Sequence, residues 1–212
     1  MATVYQGYDV LELPTDGSTG QEDQPERRFY LTDAATGKRV VDDPEAVSSG
    51  VLTYSWVCTT LAEIADLKTF LDARRGRAIP FWLPTFKHHL TLNGDHNSAH
   101  AFIDVKTFGY AANMWPSTGA RRHLLFRSRA GVLFYRKATS AVNNQNGTES
   151  VYLDATLGQS VTVADWMVGF LRLCRLDEDL TKLEHLRGGA GGGDRYMRAL
   201  LRIRELPKEA PL

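Results

Sequence analysis

The sequence predicts a mainly antiparallel β protein with one principal helix. Three observations predict it. Residues Val51 to Thr59 alternate strictly, with Leu52, Tyr54, Trp56 and Cys58 on the side expected to face a core. A single stretch, Thr60 to Arg75, carries helical periodicity with both ends marked. From about His88 onward, short β-rich runs recur between Gly- and Asn-containing turns, a spacing that suits a small sandwich or barrel.

Taken in order, residues 3–13 read as an edge strand ending at Pro14, and the polar segment 15–26 as a mobile loop. Arg28–Thr32 is a short strand, Ala35–Lys38 a tight turn, and Arg39–Val41 extended again. Thr60 and Glu63 form a Thr-x-x-Glu capping box at the helix start. Leu61, Ile64, Leu67 and Leu71 make the expected buried stripe. Glu63 and Asp66 suit the positive end of the helix, Arg74 and Arg75 the negative end. Gly76 stands where a left-handed C-terminal cap is wanted. Ile79–Leu83 is an apolar extended run. Asn93-Gly94-Asp95 marks a turn, followed by strands over 101–105, 122–127, 132–138 and 150–155. Turns are expected at Arg129-Ala130-Gly131 and Asn143–Gly147, the latter holding the sequon Asn146-Gly147-Thr148. The block 163–206 reads as two long strands around the glycine-rich link 188–193. Those strands have no helix of their own, and a lone hairpin is marginal. They are therefore expected to complete the first half of the chain, giving one domain over 1–92 with 163–212 and an inserted β domain over 93–162.

At 212 residues the chain can bury a sizeable core, and its hydrophobic content of 43% is ordinary for a globular protein. No apolar run approaches the roughly 20 residues of a membrane span, and Met1–Gln6 shows no secretory signal. The formal net charge is zero but uneven: residues 1–50 hold 10 acidic and 4 basic residues (−6), residues 101–150 hold 2 and 7 (+5). A neutral chain is poorly suited to dedicated nucleic-acid binding, which rests on phosphate neutralisation. Regions of opposite sign suit head-to-tail packing of copies or a solvated face. Cys58 and Cys174 read as buried free thiols, with a disulfide left open.

Several residues invite a chemical role. His88, His89, His96 and His100 cluster, but Asn-Gly-Asp and Asn-Ser interrupt any helix that would set zinc-ligand spacing, so a polar loop is preferred to a metal site. The glycine run lacks the Lys-Ser/Thr ending of a phosphate loop and reads as a flexible link. Arg198, Arg202 and Arg204 share one parity on the last strand, solvated or turned to a partner. Trp56, Trp82, Trp115 and Trp166 are expected in the core, Trp115 being the one expected to be most exposed. No nucleophile elbow, paired carboxylate motif or Cys/His arrangement points to catalysis, and neither metal nor organic cofactor is expected.

Two blocks carry a family resemblance. The run Phe70-Leu71-Asp72-Ala73-Arg74-Arg75-Gly76-Arg77, continuing to Pro80-Phe81-Trp82, resembles the helix-to-strand passage of distal tail proteins of long-tailed bacteriophages and gene transfer agents. Val168–Asp179, with Leu201–Pro207, resembles their closing strands. The resemblance implies a tail-tube-like β-sandwich with one principal helix, plus a small β-barrel or β-sandwich domain. It implies a virion structural protein forming a ring, expected to be a hexamer, that joins the tail tube to the baseplate or tip. Its partners would be itself, the tail tube protein and a tail hub or baseplate protein, with DNA passing through the lumen unread and no membrane involved. The protein would reside in the virion, and in the host cytoplasm during assembly. Arg74, Arg75, Arg77, Phe81 and Trp82 would serve the subunit interface. A tail-tube or tail hub subunit is the related alternative. A carbohydrate-binding module touching the host surface through Trp115 or the 93–118 loops is the alternative of another class.

Overall fold

In the computed structural model, residues 3–16, 22–26, 30–33, 39–42, 49–116, 119–186 and 196–211 are described. The protein is mainly β with antiparallel strand pairing, as the sequence predicts. The chain divides into two compact units: a barrel unit of residues 1–14, 80–173 and 208–212, and a helix unit of residues 15–79 and 174–207.

The helix unit is built on β6 (Ser49–Cys58) and β14 (Tyr196–Glu205). Their register sets Leu52 opposite Ile203, Tyr54 opposite Leu201, Trp56 opposite Ala199 and Cys58 opposite Met197. All eight are buried, and the small Ala199 leaves room for the Trp56 indole. Side chains alternate across a strand, so these eight share one face. Helix α1 (Leu61–Arg74) packs against β6 and buries Ile64, Leu67, Phe70 and Leu71. The capping box forms: Thr60 Oγ1 accepts the Glu63 N–H at 3.1 Å, and Glu63 Oε2 accepts the Thr60 N–H at 3.2 Å. Leu61 is 69% exposed, against expectation. At 100° per residue it lies about 115° from the centre of the buried stripe. The C-cap is Arg75, left-handed at φ 51, with Gly76 continuing at φ 62. The last turn is closed by the Ile79 N–H donating to the Arg74 carbonyl at 3.1 Å.

Two more strands flank the pair. β3 (Glu22–Glu26) pairs with β6, so the expected 15–26 loop contains a strand despite its polarity. β13 (Lys182–Leu186) pairs with β14, as do Cys174–Leu176 at the end of β12 (Trp166–Leu176). β4 (Tyr30–Asp33) and β5 (Arg39–Asp42) form a separate hairpin. The expected turn at 35–38 and the glycine-rich link lie outside the described residues.

The barrel unit contains the order β12, β9 (His123–Ser128), β10 (Leu133–Asn143), β11 (Thr148–Leu153), β8 (Phe102–Lys106). The sheet closes through one short stretch: Leu90 bridges Val168 of β12 and Leu92 bridges Val105 of β8. Side chains fill the interior, among them Leu92, Ile103, Val105, Leu124, Phe126, Val151, Val168 and Phe170. Outside β9 and β10, a second apolar layer comes from β7 (Phe81–Pro84) and the N-terminal segment, with Val10, Leu11, Phe81 and Trp82 buried. That segment is a hairpin of β1 (Val4–Tyr5) and β2 (Tyr8–Asp9), rather than one edge strand. Gln6 and Gly7, at φ 46 and 83, supply its two-residue turn.

The unit boundaries differ from the expected domains. Residues 3–14, 80–92 and 163–173 were expected with the helix, yet they fall in the barrel unit. The reason is pairing: Trp166–Phe170 face Ser128–Leu124 of β9, and Val10 bridges Trp82. Close approach fixes Gly169, since a Cβ there would sit 2.6 Å from the Lys87 carbonyl oxygen.

Candidate functional site

The residues expected at a subunit interface divide between the units. Arg74, Arg75 and Arg77 lie at the end of α1 in the helix unit, and Phe81 and Trp82 lie in the barrel unit. Phe81 and Trp82 are fully buried inside their own chain. The Trp82 indole donates to the Tyr5 carbonyl at 2.8 Å and packs on His123 with centroids 4.4 Å apart. As the chain stands they have no surface for a partner, which corrects that part of the expectation. Arg74 is also buried, with its guanidinium 4.7 Å above the Phe70 ring.

What remains is a charged corner at the end of α1. Asp179 Oδ1 accepts the Arg77 backbone N–H at 3.0 Å, and its two oxygens take Arg77 Nε at 3.3 Å and Nη2 at 3.1 Å. These hydrogen bonds hold the Asp179 carboxyl below the usual carboxylate range and push the Arg77 guanidinium up. A Cβ on Gly76 would lie 2.5 Å from Asp179 Oδ1, so this approach requires glycine as well as its left-handed backbone. Beside the pair runs a groove of about 320 Å³, lined by Lys68, Leu71, Asp72, Arg75, Leu176 and Thr181 among others. Arg75 is exposed there and free to meet a partner charge.

The row of arginines on β14 is satisfied within the helix unit. Arg202 meets Asp177 at 3.0 Å and Glu178 at 3.5 Å. Arg204 meets Asp177 at 2.8 Å and also pairs with Glu26 of β3, which holds its guanidinium above the ordinary value. Arg198 donates to Ser55 Oγ at 3.3 Å. The same parity that made the row legible in sequence places it opposite Val51, Thr53 and Val57, away from the helix.

The histidines do not gather as one group: His96 and His100 meet edge to face with centroids 5.8 Å apart, while His89 packs on Phe170. His96 is buried and its Nε2 accepts the Asp104 N–H at 3.1 Å, while burial pulls its pKa down. His100 stacks on Phe102 at 5.0 Å. His89 approaches Thr85 Oγ1 at 3.3 Å, and burial lowers it to about 4. Among the described residues, no three His, Cys, Asp or Glu side chains gather as a metal site. Cys58 and Cys174 are buried and not joined in a disulfide, and burial pushes the Cys58 thiol up. Trp115 and Trp166 are half-buried against the barrel core, Trp115 beneath the Arg122 guanidinium at 4.8 Å.

Sequence reasoning missed a polar cluster in the barrel unit, built around the buried His123. Tyr5 Oη lies 3.1 Å from His123 Nδ1, and His123 Nε2 lies 2.8 Å from the Pro211 carbonyl oxygen. A carbonyl only accepts, so Nε2 carries the proton and Nδ1 accepts from the tyrosine. Burial drives His123 down to about 4 and raises Tyr5, keeping both neutral. Tyr135 donates to Glu12 Oε1 at 2.6 Å. No periodicity joins residues 5, 12, 123 and 211. The cluster is a part-buried structural network.

No protein-family model and no curated protein matches this chain. Among the described residues, no helix is long and apolar enough to cross a membrane.

Proposed function

We propose that this chain is a ring-forming structural subunit at the distal end of a phage tail, connecting the tail tube to the baseplate or tip. One observation carries the reading: the two sequence blocks that resemble distal tail proteins meet in space. Arg-Arg-Gly-Arg at 74–77 closes on Leu-Asp-Glu-Asp at 176–179 through the Gly76–Asp179 approach and the Arg77–Asp179 pair. Residues 102 positions apart are thus held together by the motif residues themselves. A helix covering one face of an antiparallel sheet agrees with the fold that the resemblance implies.

The ring is a homohexamer that contacts the tail tube protein on one side and a hub or baseplate protein on the other. It works by assembly, without turnover or cofactor, and its lumen passes DNA without reading it. It resides in the virion, and in the host cytoplasm before assembly. Arg75 and the groove beside it are the part of the expected interface still open to a neighbour. Gold-labelled antibodies against the chain, applied to tailed particles that encode it, should mark the distal tail end alone. Labelling along the whole tail would assign it to the tube instead, and absence from particles would overturn the reading.

A further inference from the structure

Ile103, Val105 and Val151 point into the barrel, so their strand neighbours Phe102, Asp104, Ser150 and Tyr152 lie on its outer side. The β11–β8 register pairs Tyr152 with Phe102 and Ser150 with Asp104, and β10 adds Ser140 and Val142 to the same rows. Tyr152 is 43% exposed and Val142 49%. Between them the floor is polar and already ordered. Asn144 Nδ2 donates to Ser150 Oγ at 2.9 Å, and Ser150 Oγ donates to Asp104 Oδ1 at 2.6 Å. Asn144 Nδ2 also donates to Thr148 Oγ1 at 3.0 Å. The Asp104 backbone is pinned by His96. Among the described residues, no hydrogen bond engages Asp104 Oδ2, Asn144 Oδ1 or Tyr152 Oη.

We infer that this face is a binding site for a neutral sugar residue of a glycan. A pyranose has an apolar C–H face, slightly positive, that stacks on the negative face of an aromatic ring such as Tyr152. Its hydroxyls donate to carboxylate and amide oxygens, and bonds to a carboxylate are the stronger ones. Asp104 Oδ2 and Asn144 Oδ1 are the open acceptors of the floor, one and two rows along from Tyr152, with Ser150 and Thr148 fixing their rotamers. The formal charges of Asp104 and Lys106, on the same face of β8, cancel, so this strand face itself offers an anion no net charge. Two half-exposed side chains offer on the order of 200 Å² of contact, far below the roughly 800 Å² per partner of a stable protein interface. The area fits one or two sugar rings. The site does not use Trp115, and it does not rest on the tail-ring reading.

The test is an array of neutral oligosaccharides built from hexoses, N-acetylhexosamines and 6-deoxyhexoses, probed with the full chain. Calorimetry on the strongest binder follows, with the free oligosaccharide and an isolated cell-surface polysaccharide as separate arms to show which source is recognised. Binding in either arm, weakened at least tenfold by Tyr152→Ala and by Asp104→Asn but kept by Tyr152→Phe and Trp115→Phe, is the expected result. Circular dichroism melts establish that each variant is folded, and Asp104→Asn alone decides the matter if Tyr152→Ala is not. No retention of any neutral glycan would overturn the inference, as would affinity within twofold of wild type in the folded variants.

Discussion

The two units bury a sheet face in different ways. The helix unit lays α1 over the face carrying Leu52, Tyr54 and Trp56, and leaves the opposite face to Arg198, Arg202, Arg204 and their acidic partners. The barrel unit closes its sheet through Leu90 and Leu92, fills the inside with apolar side chains, and covers part of the outside with the Tyr5–Trp82–His123 layer. As a result, the ion pairs of the helix unit stay exposed or partly buried, while the barrel unit buries histidine and tyrosine in neutral form. Acid therefore reaches the two units at different pH: the barrel unit as its histidines charge below 6.5, the helix unit as paired carboxylates such as Asp179 take up protons below the ordinary carboxylate range.

The largest effects should come from the two cores. Trp56→Ala in the helix unit and Phe126→Ala in the barrel unit, where Phe126 stacks on Phe134 at 4.5 Å, should each cost about 3–5 kcal/mol. Amide hydrogen exchange should show lost protection centred on the mutated unit. Equal loss over both units for either variant would mean that the division is not a cooperative one.

Acid should separate them next. The ordinary histidine value is 6.5, and His123 is held at about 4 in the folded chain. Between those values the unfolded chain binds a proton that the folded chain refuses, so stability is full above pH 6.5 and falls as pH drops toward 4. The loss for His123 is on the order of 3 kcal/mol, with His89 adding in the same direction. Urea titrations of wild type and His123→Gln at pH 7 and pH 4.5 should show a smaller acid loss in the variant. An identical pH dependence would remove His123 from the account.

The Gly76 corner sharpens the helix unit. Gly76→Ala must place a Cβ at φ 62 against Asp179, and should cost about 1–2 kcal/mol from backbone conformation alone. Equilibrium denaturation measures it, and a neutral result would mean that the corner rearranges freely. The smallest effects lie at the helix start. Thr60→Ala should cost about 1 kcal/mol through the lost cap, whereas the exposed Leu61→Ser should stay within about 0.5 kcal/mol. A larger loss at Leu61 in the same assay would restore it to the core.

Local signals read well in this sequence because they depend on neighbours in the chain. The capping box at Thr60 and Glu63, the alternation through Leu52–Cys58 and the arginine parity on β14 each need only a period of 3.6 or 2. The same reading failed where a distant segment decides. Polar Glu22–Glu26 becomes a strand because β6 offers it an edge. Trp82 is claimed by a hairpin more than seventy residues earlier. The unit boundary runs along β12, a single uninterrupted strand from Trp166 to Leu176, so no change of composition marks it. The Tyr5–His123–Pro211 network joins three regions that no spacing relates.

The central claim is assembly into a closed ring, and the mass of the assembly tests it most directly. Native mass spectrometry on purified protein, and on tail ends released from particles, should find a closed oligomer. Six copies of 23.7 kDa give about 142 kDa, and negative-stain images should show rings with a central hole. Only monomers or dimers in both preparations would contradict the account.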